Sequence, residues 1–457
     1  TINLGKFKME EEIRRFMSSR KATIYLLCSP NLGVLDNWLP VLVQIYRSSE
    51  NYRFVLLLPN LTVVSSIHFD NAINEIADSI FDLIVFQNIP GEWLKADSLA
   101  NTKEWARSNY RITRIFEYVE LIEMRHPKVY KLISPFISLY GSISKYKHRQ
   151  KIFHIDEKIH DTDALLYDIH VNNHENVSQL LSIFESNLRF SMPHGIGIKL
   201  KLDHISAGGV TGANKLQIYL FSSFFERDYY IKKYGVNSDN LNFFGIPRHD
   251  LEWINEIQNH SQNLSPNFQD GESVFIISAP ISTYLPRDRK VKSLKDIKKI
   301  IIENLDMNLV IKLHPKEYKE GVYEEVFGIK NYGRTWIYSD LHPFALAKGR
   351  RLTISLFSGV SFDMLRLGVP CIEYINLQNI PGVDIINGKP LTPLARYNFV
   401  TSASDYNEFK FQVNRIIKSS NYVMPSIKKY SEYFSIDGKS SSRVASNIIQ
   451  LISDNNL

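Results

Sequence analysis

From Ala22 onward the chain alternates short β-rich apolar runs with helix-length segments. That is the pattern of an open parallel sheet carrying helices on both faces. The run Ala22–Leu27 leads through the loop Ser29-Pro-Asn-Leu-Gly33 into an apolar-periodic helix predicted from Asp36 to about Arg47. Runs at Phe54–Leu58, Leu83–Phe86, Ala164–Ile169, Leu188–Met192 and Gln217–Phe221 complete a first series. A second series comprises Val274–Ser278, Leu309–Leu313, Leu352–Phe357 and Cys371–Tyr374, with a basic helix predicted over Ser293–Asn304. Between the series, Gln258–Glu272 is rich in Asn, Gln, Ser and Asp, contains Pro266 and Gly271, and reads as a surface connection. The pattern predicts an α/β chain of two domains, residues 1–240 and 241–457, divided somewhere in 235–270, with the last helix packing back on the N-terminal domain.

The bulk numbers agree with two cores: 457 residues, 44% hydrophobic and 22% charged, exceed what one core holds comfortably. The densest apolar stretch, Phe54–Val64, is interrupted by Pro59 and Asn60 and falls short of the roughly 18 residues that span a bilayer. The opening Thr-Ile-Asn-Leu-Gly-Lys lacks the segments of a secretory signal, so a cytoplasmic protein is expected. Cys28 and Cys371 lie in apolar strand-like contexts and read as small hydrophobes. A formal net charge of +6 suits phosphate-bearing ligands, nucleic acid or an anionic membrane face about equally. The aromatic residues do not fall into the patterns of nucleic-acid modules, so no nucleic-acid partner is expected. Glu104–Lys151 is helical, aromatic and increasingly basic through Arg125, Lys128, Lys131, Lys145, Lys147, Arg149 and Lys151. It reads either as a solvated helical face or as an acceptor-side or membrane-facing insertion.

In open α/β sheets ligands bind beyond the carboxyl ends of the strands, where loops and helix N-termini present backbone N–H groups. Five strand ends here carry polar or glycine-rich sequence: Ser29-Pro-Asn-Leu-Gly33, Pro193-His-Gly195, Ser278-Ala-Pro280, His314-Pro315 and Ser358-Gly359. His194, with Lys199 and Lys201 behind it, is placed to take a proton from a hydroxyl or simply to bond a turn. His314, flanked by Lys312 and by Pro315 and Lys316, is placed to stabilise phosphate charge or merely to end a strand. A second His-Pro pair, His342-Pro343, lies outside any β-run. A helix predicted from Ser358 to Gly368 would bring Ser358, Gly359 and Ser361 to its N-terminus, as phosphate contacts or as a plain cap. Ser278 and Arg287 join this C-terminal group, while Asn31, Gly33, Asp36 and Lys199 form the candidates on the N-terminal side. Gly208–Lys215 has the wrong spacing for a P-loop and reads as a glycine-rich loop. No ligand spacing for a metal appears, and none is expected.

The order of several motifs carries more information than any one of them. His194-Gly195 with Lys199, then Leu216–Ser223 with Phe225-Glu226, Tyr234-Gly235 and Phe244-Gly-Ile-Pro-Arg-His-Asp250 resembles the CDP-glycerol glycerophosphotransferase (teichoic acid polymerase) family. Ile277-Ser-Ala-Pro280, Arg287-Asp288, Lys312-Leu-His-Pro315 and Ser358-Gly-Val-Ser-Phe-Asp363 continue it, so the resemblance spans about residues 190–380. It implies a GT-B fold, two Rossmann-like domains whose parallel sheets face each other across a cleft, with an N-terminal acceptor domain and a C-terminal donor domain. It also implies a cytidine-nucleotide donor, a growing cell-surface polysaccharide or lipid-linked glycan as acceptor, work at the inner membrane face, and no cofactor beyond the activated donor. By the same resemblance His194 is the general base, His314 acts at the donor phosphates with Lys312 and Pro315, and Ser358 and Ser361 bind phosphate. Arg248 and Asp250 match the segment leading into the donor domain. The chain has Leu356-Phe-Ser-Gly359 where the family has Asp-Tyr-Ser-Ser, and Pro193 where the family has a tryptophan. A His-Pro motif at the cytidine phosphate is also found in bacterial sialyltransferases, and Kdo and other nonulosonate transferases share the GT-B plan, so a CMP-sugar stands beside a CDP-polyol as donor. The rivals are a UDP-sugar transferase or sugar-nucleotide epimerase of the same fold, and an inactive scaffold in a polysaccharide-assembly complex.

Overall fold

The structure is a computed structural model. Its described residues fall mainly within 22–59, 71–108, 153–193, 216–232, 241–375, 384–419 and 430–455. The first sheet contains β1 (Ala22–Leu27), β2 (Tyr52–Leu58), β3 (Leu83–Ile89), β4 (Glu92–Ala96), β5 (Ala164–Asp168), β6 (Leu188–Met192), β7 (Gln217–Phe221) and β8 (Leu241–Phe243). Its order is β4-β3-β2-β1-β5-β6-β7-β8, parallel throughout except for the antiparallel edge pair β3–β4. The second sheet takes β9 (Ser273–Ile277), β10 (Asn308–Lys312), β11 (Trp336–Tyr338), β12 (Thr353–Ser355) and β13 (Cys371–Tyr374). After the hairpin of β14 (Asp384–Ile386) and β15 (Lys389–Leu391), β16 (Thr401–Ala403) closes it in the all-parallel order β11-β10-β9-β12-β13-β16.

Side-chain alternation explains why these runs are strands. Along β1, Ile24 and Leu26 enter one core and Tyr25 and Leu27 another on the opposite face. Along β9, Val274 and Ile276 face one way and Phe275 and Ile277 the other. Each fully buried aliphatic side chain contributes about 1.5–3 kcal/mol, so both faces must be covered by helices. The first sheet carries α1 (Gly33–Ser48), α2 (Asn71–Ile80) and α3 (Leu99–Ser108). Helix α4 (Leu251–His260) follows β8 and buries Trp253, Ile254 and Ile257 in the first core. Of the segment Gln258–Glu272, read as a surface connection, Gln258–His260 ends this helix and Pro266–Phe268 forms a 3-10 turn that buries Phe268. The second sheet is flanked by α5 (Arg287–Ile297, prolonged as a π-helix over Lys298–Asn304), α6 (Val322–Phe327), α7 (Pro343–Ala347), α8 (Ser361–Leu367), α9 (Pro393–Arg396) and α10 (Tyr406–Lys418).

The final helix, α11 (Ser440–Asn455), places Val444, Ala445, Ile448 and Ile452 in the first core beside Leu35, Trp38 and Leu42 of α1. Its N-terminus is held by Asp250, whose carboxylate accepts from Ser440 N at 3.1 Å, from Ser441 N at 2.7 Å and from the Ser441 hydroxyl. A carboxylate is favoured there because the first turn of a helix presents unpaired N–H groups and the positive dipole end. Gly245, just upstream, has φ +89°, and a Cβ on it would come within 2.6 Å of Ser440 Oγ and 2.9 Å of Ser435 Cβ. The Gly-Ile-Pro-Arg-His-Asp segment is therefore shaped by the need to pass close under the start of α11.

Candidate functional site

Strands β10, β9 and β12 are immediate neighbours running the same way, so the loops after them emerge side by side at one sheet edge. Those loops carry His314, Ser278 and Ser358. The edge is laced together: Ser278 N donates to Lys312 O at 3.2 Å and Leu356 N to Ile277 O at 3.0 Å. Lys312 turns its ammonium to the carbonyls of Asp340 and Leu341, at 3.1 and 2.8 Å, which ties the end of β10 to the segment that begins α7.

At the end of β12 the chain bends sharply. Phe357 adopts φ +77°, a left-handed conformation that a side chain with a Cβ rarely takes. The Ser358 hydroxyl accepts from Val360 N at 3.3 Å, and Ser358 O accepts from Ser361 N at 3.1 Å. The predicted strand Leu352–Phe357 is thus only Thr353–Ser355, and the helix starts at Ser361 instead of Ser358, because this tight turn uses the intervening residues. Gly359 is exposed at the tip. Ser361 is buried, with Cys371 Sγ 3.8 Å from its oxygen, and burial pushes that thiol up to about 11.

On the N-terminal half, Gly33 opens α1. Asn37, one turn on, donates to Pro193 O at 3.3 Å and lies 3.5 Å from Gly33 O. The end of β1 is therefore fastened to the residue that precedes His194. Asp36, beside Asn37, is buried and accepts from Arg248 Nη1 at 2.9 Å and His342 Nε2 at 3.0 Å. Burial raises its pKa, yet Arg248 and then His342 outweigh that and hold the carboxyl well below the ordinary carboxylate range. His342 Nδ1 accepts from Phe344 N at 3.1 Å, which leaves the proton on Nε2 to face Asp36.

Arg248 extends its other nitrogen, Nη2, to Asp363 in the first turn of α8. Asp363 also accepts from His249 Nε2 at 2.7 Å, and His249 Nδ1 meets the Tyr430 hydroxyl. Burial pushes His249 down despite Asp363, and pushes Tyr430 well up, so both are held neutral with the phenol donating. Arg248 is raised on balance because Asp36 and Asp363 outweigh its desolvation. Two consecutive residues of α1 therefore make separate links: Asn37 bonds Pro193 at the β6 end of the first sheet, and Asp36 reaches through Arg248 to Asp363 in the helix that follows the Ser358 turn of the second.

A second buried cluster lies under the C-terminal edge. Lys290, fully buried in α5, points its ammonium at Glu317, at Glu320 (2.6 Å) and at Ala279 O (2.8 Å). Glu317 also receives the Ser278 hydroxyl and the backbone N–H of His314. Burial raises the Glu317 pKa, against the pull of Lys290. Tyr323 bonds the Ser278 hydroxyl and lies 5.2 Å below the Lys290 ammonium.

Among the residues singled out from sequence, Ser278, Lys312, His314, Ser358 and Gly359 come together at one edge, and Gly33 and Asp36 stand at the other. Arg287 is exposed and paired with Glu325 at the outer face of α5. The Ser278 hydroxyl is engaged by Glu317 and Tyr323 inside the protein. His194, Asn31, Lys199 and Pro315 lie outside the described residues, as do most of the 104–151 segment and the Gly208–Lys215 loop. Asn37, His249, His342, Lys290, Glu317 and Tyr430 were not selected from sequence. His249 and Asp363 fall inside motifs already quoted, and Glu317 lies three residues past His314, so proximity to a motif was the available signal. Among the described residues there is no helix long and apolar enough to cross a membrane and no His/Cys/Asp/Glu group fit to hold a metal.

Two parallel-dominated sheets in succession, each covered by helices, give the chain the GT-B architecture, and solved structures match it in fold. A protein from Listeria monocytogenes assigned as a UDP-N-acetylglucosamine 2-epimerase matches with TM-score 0.52 at 10% identity, over 95% of this chain and 97% of that one. The wall teichoic acid polymerase TagF, as a histidine-to-asparagine variant soaked with CDPG, matches with TM-score 0.51 at 12% identity, over 95% and 89% of the two chains. The S. aureus MnaA–UDP structure matches with TM-score 0.50 at 10% identity, over 94% and 97%. No protein-family model matches the chain, and no curated protein matches it in sequence.

Proposed function

We propose that the chain is a transferase that moves a glycosyl or polyol-phosphate unit from a cytidine-nucleotide donor to a growing cell-surface polysaccharide. The observation that supports it best is the adjacency of the β9, β10 and β12 ends, which gathers Ser278, His314 and Ser358 at one edge. Helix α1 supports it as well, since Asn37 bonds the residue preceding His194 and the adjacent Asp36 is bridged by Arg248 to Asp363 of α8. In this reading the C-terminal half binds the donor and the N-terminal half delivers the acceptor, and the work is done in the cytoplasm, at the inner membrane face. His194 takes the proton of the acceptor hydroxyl. The oxygen then forms its bond to the anomeric carbon of a CMP-sugar with inversion, and CMP leaves with the electron pair of the broken C–O bond. With a CDP-polyol the attack falls on the β-phosphorus, and CMP is again the leaving group. His314 contributes by stabilising charge that grows on the leaving phosphate, since only interactions stronger in the transition state speed the step.

A thermal-shift panel of CMP, CDP, UMP and UDP tests the assignment. Preferential stabilisation by cytidine nucleotides is expected. Preference for uridine nucleotides would move the chain to the UDP-sugar reading, and a donor screen with mass-spectrometric readout that finds no transfer or hydrolysis would make it a scaffold.

A further inference from the structure

The cluster under the C-terminal edge does something the strand ends alone cannot. His314 and Ser278 sit at the ends of two adjacent strands, past the last pair of ladder residues, Lys312 and Ile277. At that point a backbone bond from Ser278 N to Lys312 O, at 3.2 Å, still joins the two strands. Glu317 adds a side-chain link: one carboxylate oxygen takes the Ser278 hydroxyl, and the other takes the backbone N–H of His314. The same residue closes its own turn, with Glu317 N donating to His314 O at 2.9 Å. A carboxylate that accepts from two loops is a cross-brace only while its oxygens stay in place. Lys290, at 0% exposure, supplies the counter-charge and is itself held by Ala279 O at 2.8 Å and Glu320 at 2.6 Å. Glu320 in turn receives Ile281 N at 2.9 Å, so the loop after β9 is held at two points.

We propose that Glu317 is the positioning residue of the donor site, bracing the backbone of His314 against Ser278 across two strand ends, with Lys290 as its buried counter-ion. This rests on the reading that His314 meets the donor phosphate. It reassigns Ser278 from a ligand contact to one anchor of the brace. A buried ion pair is expensive to maintain and is often no more stable than an apolar replacement. A buried pair at a loop that must be held in one geometry fits a role in placing His314.

The test is calorimetric titration of CMP and CDP into the full chain and into Glu317→Ala, Glu317→Asp, the double variant Lys290→Met with Glu317→Gln, and His314→Ala, each with its unfolding curve. Hydrogen exchange over residues 309–314 is read in the same samples. Loss of one charge-assisted hydrogen bond to the His314 amide should weaken nucleotide binding about tenfold in Glu317→Ala and raise exchange at that amide. Glu317→Asp keeps the charge but shortens the reach and should fall the same way, which preserves the test if the alanine variant does not fold. The double variant keeps a carbonyl for the His314 N–H without the ion pair and should recover affinity to within about threefold. Wild-type affinity and exchange in a folded Glu317→Asp or Glu317→Ala, with His314→Ala weakened, would overturn the positioning role. Unchanged affinity in His314→Ala would instead remove the donor reading, and the exchange data alone would then decide whether Glu317 holds the loop.

Discussion

Arg248 and Asp36 meet at 2.9 Å where the two halves of the molecule join, and the same guanidinium reaches Asp363 on the far side. One side chain thus links the helix that opens the N-terminal strand-end loop to the helix that follows the Ser358 turn. The planar fork of arginine suits this, since its nitrogens address two carboxylates at once.

Replacing Arg248 by methionine leaves Asp36 to His342 and Asp363 to His249 and removes the guanidinium that both buried carboxylates share. The expected loss is about 3–5 kcal/mol, read from urea unfolding at pH 7, and Arg248→Lys should recover only part of it. A loss below about 1 kcal/mol would mean that the network is solvated and unimportant to the junction.

Glu373 gives a stability signature that depends on pH. It is buried on β13, bonded by the Thr392 hydroxyl through one oxygen, while Oε2 has no partner among the described residues. Burial pushes its pKa from 4.5 to about 7 against the pull of Thr392. The folded chain therefore holds this proton more tightly than the unfolded chain. Stability falls as the pH rises from about 4.5 to about 7 and levels off above, by a total on the order of 3 kcal/mol. Glu373→Gln should be more stable than the wild type at pH 8 and indistinguishable from it near pH 4. Parallel stability curves for the two proteins from pH 4 to pH 8 would refute the assignment.

Gly245→Ala should destabilise the junction by about 1–3 kcal/mol, because the added methyl meets both a left-handed backbone and the start of α11. Limited proteolysis should then cut α11 first. Gly271, which also has positive φ but meets nothing within 4 Å, serves as the control, and Gly271→Ala should cost clearly less.

His194→Ala should abolish transfer while leaving nucleotide affinity within about threefold, since a general base contributes to the step and not to donor binding. Normal turnover in that variant would remove its role. For His314→Ala the order reverses, with CMP or CDP affinity falling as well as the rate, and unchanged titration would contradict the assignment.

The sheets were legible because their strands are buried on both faces: β6, β7 and β13 begin and end where the apolar runs do. The three-residue strands β8, β11 and β16 were not, since three residues carry no readable period. The site divides in the same way. His314, Lys312, Ser358 and Asp36 stand at strand ends or helix starts, and position alone selects them. Lys290 precedes the basic helix read from Ser293 and Glu317 lies in a Lys-Glu-Tyr-Lys-Glu loop, both looking like ordinary charges, and only the packing of α5, which starts at Arg287, against the strand ends buries them together. His342 seemed an incidental His-Pro pair because its partner, Asp36, lies 306 positions away.

The return of α11 to the first core has a consequence for biogenesis. During synthesis the first sheet emerges from the ribosome hundreds of residues before the helix that covers α1, so its apolar flank stays open while the second sheet is being made. Cutting the gene between the sheets would strand that flank without its cover, and an expressible N-terminal fragment would need α11 grafted behind β8.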